Sequence, residues 1–253
     1  MKTKLLLLLL FILLTSPAIL HADTIRLATG EWKPYTSESL ENFGFFTEIV
    51  SEIFKEMGVE AEYSFYPWKR CFDSTEKGKV WAAFPYAYTE ERAKKVLYSD
   101  EIAYSTSRFF YYIKDAKAKD FKYETLQDLK QYKVGGILGY FYEEDLKKAG
   151  LDVDYVASER SAIEKLVLGR IELWPSNELV GWALIKKYFP KEADNFGTLE
   201  KPYSRNALCL IVSKKYPNSK ELLRQFNAAF IKIKDKGIYD SILKKYNIKI
   251  LGK

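Results

Sequence analysis

Phe45-Phe46-Thr47-Glu48-Ile49-Val50-Ser51-Glu52-Ile53-Phe54-Lys55-Glu56-Met57-Gly58-Val59-Glu60-Ala61-Glu62-Tyr63-Ser64-Phe65-Tyr66 holds two elements and the joint between them. Phe46, Ile49, Val50, Ile53, Phe54 and Met57 recur with a period near 3.6, which predicts a helix over 45–57 with one apolar face. Gly58 follows as a stop signal, because glycine accepts the left-handed conformation that ends helices. Residues 59–66 then supply a strand. With a strand expected at 24–29, the order is strand, helix, strand, the signature of an α/β fold.

The pattern extends outward in both directions. Pro67 opens a helix to about residue 77, Gly78 closes it, and residues 80–84 form a buried strand, so these units make one parallel-sheet lobe. A short helix at 89–95 and a β-prone stretch at 107–113 precede the charged segment 114–122, where the chain crosses out of the first lobe. A second series follows, with short helices at 126–129 and 143–148, a longer one at 158–168, and strands at 133–137, 153–156 and 172–174. After a helix at 179–188, an apolar strand over 203–213 returns to the first lobe, and helices at 219–234 and 239–246 close the chain. Leaving one lobe and returning makes two connections, which act as a hinge. The expected boundaries are 1–22 for a signal peptide, 23–108 with 205–253 for lobe 1, and 109–204 for lobe 2.

Lys2 and Lys4 precede an unbroken apolar run from Leu5 to Leu14, and Thr15, Ser16, Pro17 and then Ala22 follow. That order reads as a secretory signal peptide cleaved after Ala22. The apolar core, about ten residues, is too short for a spanning helix, and no Cys near the cleavage site could carry a lipid. A periplasmic, unanchored protein is expected. Cleavage takes Lys2 and Lys4 from the 40 basic residues, leaving 38 against 34 acidic ones and a formal net charge of +4. The lysines are spread along the chain, many at helical spacing from Glu or Asp, so a solvated face is the reading and nucleic acid is not an expected partner. Cleavage also removes His21, the only histidine, which excludes Ser-His and Cys-His nucleophile pairs and histidine metal sites. Cys71 and Cys209, the only thiols, are either a disulfide permitted by an oxidising compartment or two buried free cysteines.

Several ordered pieces carry a resemblance: Pro34-Tyr35, Gly44-Phe45, Gly78-Lys79-Val80, Thr89-Glu90-Glu91-Arg92 leading to Tyr98-Ser99-Asp100, Gly135 to Gly139, Leu168-Gly169-Arg170-Ile171-Glu172, and Ile233 to Tyr239. Together they make the mature chain similar to the family 3 extracellular solute-binding proteins, the receptors of polar amino-acid importers. The resemblance implies a type II periplasmic-binding fold, two mainly parallel α/β lobes joined by two hinge strands, closing on a ligand in the cleft. It places Arg92 where relatives hold a ligand carboxylate, a task that suits the planar guanidinium fork. The alternative is a surface arginine paired with Glu90 or Asp100.

Three departures weaken an amino-acid reading. Pro85, Tyr86 and Ala87 replace small hydroxyl residues beside the arginine; Tyr140-Phe141 follows Gly139 where hydroxyl residues often cradle the anion; and Asn177, a neutral side chain, matches the acid that holds the ligand amine. Aromatic residues crowd the expected pocket instead. Trp32, Tyr35, Trp68, Tyr86, Tyr140 and Trp174 are candidate stacking surfaces for flat rings, sugars or cations, with core packing the competing reading. Glu178 either supplies the missing negative charge or caps a helix, and Arg70, with Lys69, is either a second cation in the cleft or an exposed helix residue. The expected function is capture of a small aromatic, cyclic or amino-acid-like solute by a monomeric receptor that delivers it to the permease of an ATP-driven (ABC) importer, or presents it to a membrane sensor. A dehydratase on the same scaffold is the enzymatic alternative. No catalytic residue, metal ligand or cofactor is assigned.

Overall fold

A computed structural model describes residues 24–113, 122–137, 140 and 142–248. The expected signal peptide, residues 114–121 of the expected crossing at 114–122, and the Gly139 and Phe141 positions lie outside the described residues. The decisive helix, α1, spans Phe45–Met57 and buries Phe45, Phe46, Ile49, Val50, Ile53 and Phe54. Each fully buried side chain of this size contributes about 1.5–3 kcal/mol of transfer free energy. Gly58 ends the helix at φ 71°, ψ 26°. Its N–H donates to the Lys55 carbonyl at 3.1 Å and the Val59 N–H to that of Phe54 at 3.1 Å, the paired bonds of a Schellman cap.

Strand β1, Thr24–Thr29, pairs in parallel with β2, Glu60–Phe65, and with β3, Ala82–Ala87. Between them α2, Trp68–Glu76, crosses over, and after β3 come α3, Glu90–Lys95, and β4, Val96–Tyr98. β3 runs past its expected end at Phe84 and includes Pro85. The β1 ladder stops at Phe84, so the missing proline N–H costs no bond there.

Two ten-residue strands tie the molecule together: β5, Ala103–Tyr112, and β10, Ser204–Ser213. They pair antiparallel from Ala103 with Leu208 to Ser107 with Ser204. Beyond that ladder β10 continues against β3 and β4, while β5 continues against β8, Trp174–Asn177, and β9, Phe196–Thr198. One sheet of order β2-β1-β3-β10-β5-β8 results. β8 lies later than the expected 172–174, since the amides of Glu172 and Leu173 donate to the Lys133 carbonyl and the antiparallel ladder begins at Trp174. Its Pro175 is tolerated because β8 ends the sheet order. A second, parallel pair joins β6, Val134–Ile137, and β7, Val153–Val156. Around it lie α4, Glu143–Lys148, α5, Glu159–Val167, and α6, Glu178–Tyr188; α7, Ser219–Asp235, and α8, Ile238–Lys245, end the chain.

The cores separate in the same way. One unites α1, β1, β3, β10, α7 and α8 through Leu27, Ile49, Phe84, Leu210, Phe226 and Leu243. Two others gather around Phe109 with Leu173 and around Phe110 with Trp174. The fold is the two-lobed type II arrangement, with β5 and β10 as the crossing strands.

Candidate functional site

β3 and α2 bring the first group of site residues together. Gly30, just past β1, leaves room for the Trp68 indole: a Cβ there would stand 2.7 Å from its Cε2. Trp68 meets the Tyr86 ring edge-on at 5.7 Å, and the Tyr86 hydroxyl donates to the Trp68 carbonyl at 2.8 Å. Burial pushes the Tyr86 phenol well above its ordinary range, so it stays a neutral donor. Thr89 caps α3, its Oγ1 accepting from the Arg92 amide at 3.2 Å, and this turns the Arg92 side chain back toward β3. There Nη1 donates to the Ala87 carbonyl at 3.1 Å and the guanidinium lies 5.3 Å over the Tyr86 ring. Neither Glu90 nor Asp100 pairs with it; Asp100 accepts instead from Asn227. The resulting pocket, about 360 Å³, is lined by Trp68, Lys69, Phe72, Tyr86, Arg92 and Lys95 among others. Lys69 pairs with Asp73 at 2.9 Å and Lys95 with Glu76 at 3.8 Å. The arrangement offers a forked cation between aromatic faces, which fits a carboxylate with a flat or apolar body.

A second group lies across the hinge. Trp32 stacks on Tyr35 at 4.0 Å and 9°, and the Tyr35 ring is 1% exposed. The Tyr35 hydroxyl accepts from Asn177 Nδ2 at 3.1 Å and donates to the Tyr104 carbonyl at 3.3 Å. Asn177 Nδ2 also donates to Ser105 Oγ at 2.9 Å, and its Oδ1 accepts from the Val180 amide at 3.0 Å, capping α6. Glu178, next in sequence, binds Arg108 Nε at 2.8 Å, while Arg108 Nη1 donates to the carbonyls of Leu199 and Glu200. Tyr35 and Glu178 line a larger groove, about 600 Å³, with Tyr104, Trp182, Arg205 and Tyr239. It shares no lining residue with the Arg92 pocket.

The remaining candidates stand elsewhere. Trp174 is 1% exposed and packs on Phe110 at 5.4 Å; the expectation of a stacking surface is corrected to core packing, because its strand directs the ring into the second lobe. Arg70 is exposed and lies 3.9 Å over the Tyr66 ring. Tyr140 bonds Glu159 through its hydroxyl. Cys71 and Cys209 are buried and free, and burial pushes both thiols up to about 11, which keeps them protonated and unreactive. Among the described residues no group of acidic, histidine or cysteine side chains could hold a metal ion, and no helix is long and apolar enough to cross a membrane. Sequence reasoning missed Phe72, Lys95, Tyr104, Trp182 and Arg205, residues brought in by packing between elements distant in sequence.

Two α/β lobes on a pair of crossing strands, with a cationic aromatic pocket at the end of the first parallel sheet, define a binding protein for small solutes. The chain belongs to the bacterial extracellular solute-binding proteins, family 3, whose model matches residues 25–249. It is 26% identical over 222 residues to the L-cystine-binding protein TcyJ of Escherichia coli K12, covering 86% of this chain and 79% of that one. An ancestral arginine-binding protein bound to arginine superposes with a TM-score of 0.63 at 26% identity, over 88% of this chain and 97% of that chain. An ancestral cationic amino acid solute-binding protein shares the fold with a TM-score of 0.70 at 22% identity, over 88% and 95% of the two chains.

Proposed function

We propose that the protein is exported to the periplasm, captures a carboxylate-bearing, amino-acid-like solute by hinge closure, and delivers it to the permease of an ABC importer. The carrying observation is Arg92: its guanidinium is held by the Ala87 carbonyl over Tyr86, with no salt bridge to any described carboxylate, in a pocket walled by Trp68. A ligand carboxylate would complete the fork, and the rings would stack on its body. The names of TcyJ and of the arginine-bound relative support an amino-acid class of solute. In this reading residues 23–108 and 205–253 move as one lobe and 109–204 as the other. Glu178, the acid that an enzymatic reading would use, is tied to Arg108, which favours reversible binding over turnover.

A thermal-shift panel of amino acids, cyclic and aromatic carboxylates, amines and sugars tests the reading, because a ligand at a hundredfold its Kd adds about 2.7 kcal/mol of apparent stability. The expected hits are carboxylates, and Arg92→Ala should weaken them by at least about tenfold, the loss of one charge-assisted pair. Hits confined to sugars or amines, or a carboxylate affinity indifferent to Arg92→Ala, would overturn it.

A further inference from the structure

The groove over the crossing strands is larger than the Arg92 pocket, and its chemistry differs. Its floor is formed by Tyr104 and Thr106 of β5 and Arg205 of β10, one wall by Leu179 and Trp182 of α6, and the other by Tyr239 and Leu243 of α8. Its volume of about 600 Å³ falls in the range of small-molecule sites, which are concave and mostly apolar with a few convergent polar groups. The apolar surface is partly open: Tyr104 is 44% exposed, although its hydroxyl is anchored to Glu101 at 2.6 Å. The Arg205 guanidinium lies 4.0 Å over the Tyr104 ring, and Lys186 reaches the rim from the next turn of α6 after Trp182. Glu178 is the acid in the lining, and Arg108 already engages it. The groove therefore presents positive charge above an aromatic and aliphatic bed.

We propose that this groove is a second ligand site, separate from the Arg92 pocket, for an apolar or aromatic molecule bearing one anionic group. Its flat body lies between Trp182 and Tyr239, and its anion faces Arg205 and Lys186. Because α6 and α8 belong to different lobes, the occupant touches both sides of the hinge. A molecule with different contacts in the open and closed states shifts the balance between them, and the effect on the Arg92 pocket must be reciprocal.

Isothermal titration calorimetry of the full chain carrying Arg92→Ala, which removes the carboxylate fork of the first pocket and touches no lining residue of the groove, tests the site with 2-naphthoate and 2-naphthylmethylamine. The carboxylate should bind saturably at one site and more tightly than the amine. Lys186→Glu combined with Arg205→Glu alters two exposed side chains and should weaken naphthoate by at least about tenfold, with the melting temperature retained. Trp182→Ala should do the same, and the charge reversal keeps the test available if the Trp182 variant misfolds. Absence of saturable binding in this Arg92→Ala protein, equal affinity for the amine, or indifference to the charge reversal would each overturn the proposal, the first by placing any naphthoate bound by the unaltered protein in the first pocket.

Discussion

Asn177 and Tyr35 show how single residues join the two lobes. Asn177 spends its oxygen on the α6 cap and its nitrogen on Tyr35 and Ser105, so the position that resembled a ligand anchor is occupied in holding the hinge. Burial is the main cause that pushes the Tyr35 phenol from 10.0 up to about 12. The folded protein thus keeps a proton that the unfolded chain releases above pH 10. Stability from this group is complete below pH 10 and is lost as pH rises from 10 to 12, by ~2–3 kcal/mol for two units. Tyr35→Phe has no such proton, and its denaturant midpoint should fall less steeply over that interval than that of the unaltered protein; parallel curves would refute the assignment. Arg92 was singled out through the resemblance, by its place after a Thr-Glu-Glu turn, and its position in a pocket with Trp68 and Tyr86 was legible to that extent. Trp174 was not, since an indole reads alike in a core and in a cleft until the strand direction is known.

At the scale of the element, local rules wrote most of the structure. The period of α1 and the glycine behind it gave a helix with the expected ends, and Ser158 and Asn177 cap α5 and α6 where short polar residues precede apolar periodicity. Gly58 offers a clean measure of such a rule. A Cβ added there meets nothing within 4 Å, so the effect of Gly58→Ala is confined to the backbone at φ 71°. The expected cost is about 1 kcal/mol, read as a lower denaturant midpoint at unchanged slope; a neutral substitution would show that the cap tolerates a side chain. What stayed illegible were strand limits set by partners. β3 extends through Pro85 because β10 pairs beyond it, and β8 starts at Trp174 because β5 lies beside it. The groove residues Tyr104, Trp182, Arg205 and Tyr239 come from four elements, and only the tertiary fold makes them neighbours.

For the whole molecule, the proposed closure turns on the β5–β10 crossing. The ladder from Ala103–Leu208 to Ser107–Ser204 is short, and β10 shifts register between Cys209 and Ile211 as it passes to β3, the kind of irregularity that bends a strand locally. Closure by rotation there should reduce the radius of gyration in small-angle scattering when a carboxylate hit from the thermal panel is added, and at a ligand concentration near its Kd for the unaltered protein Arg92→Ala should remove most of the change. Identical curves with and without a verified ligand would rule out hinge closure. The same crossing separates motion from folding. A cut at 108/109 and 204/205 would split β5 and part Ser107 from Ser204 and Asn177, and Arg108 from Ser176 and Glu178, leaving naked amides and carbonyls where the ladders meet. The place where the proposed closure would turn is therefore not a place where the molecule can be divided: halves free to move against each other would still need each other to assemble.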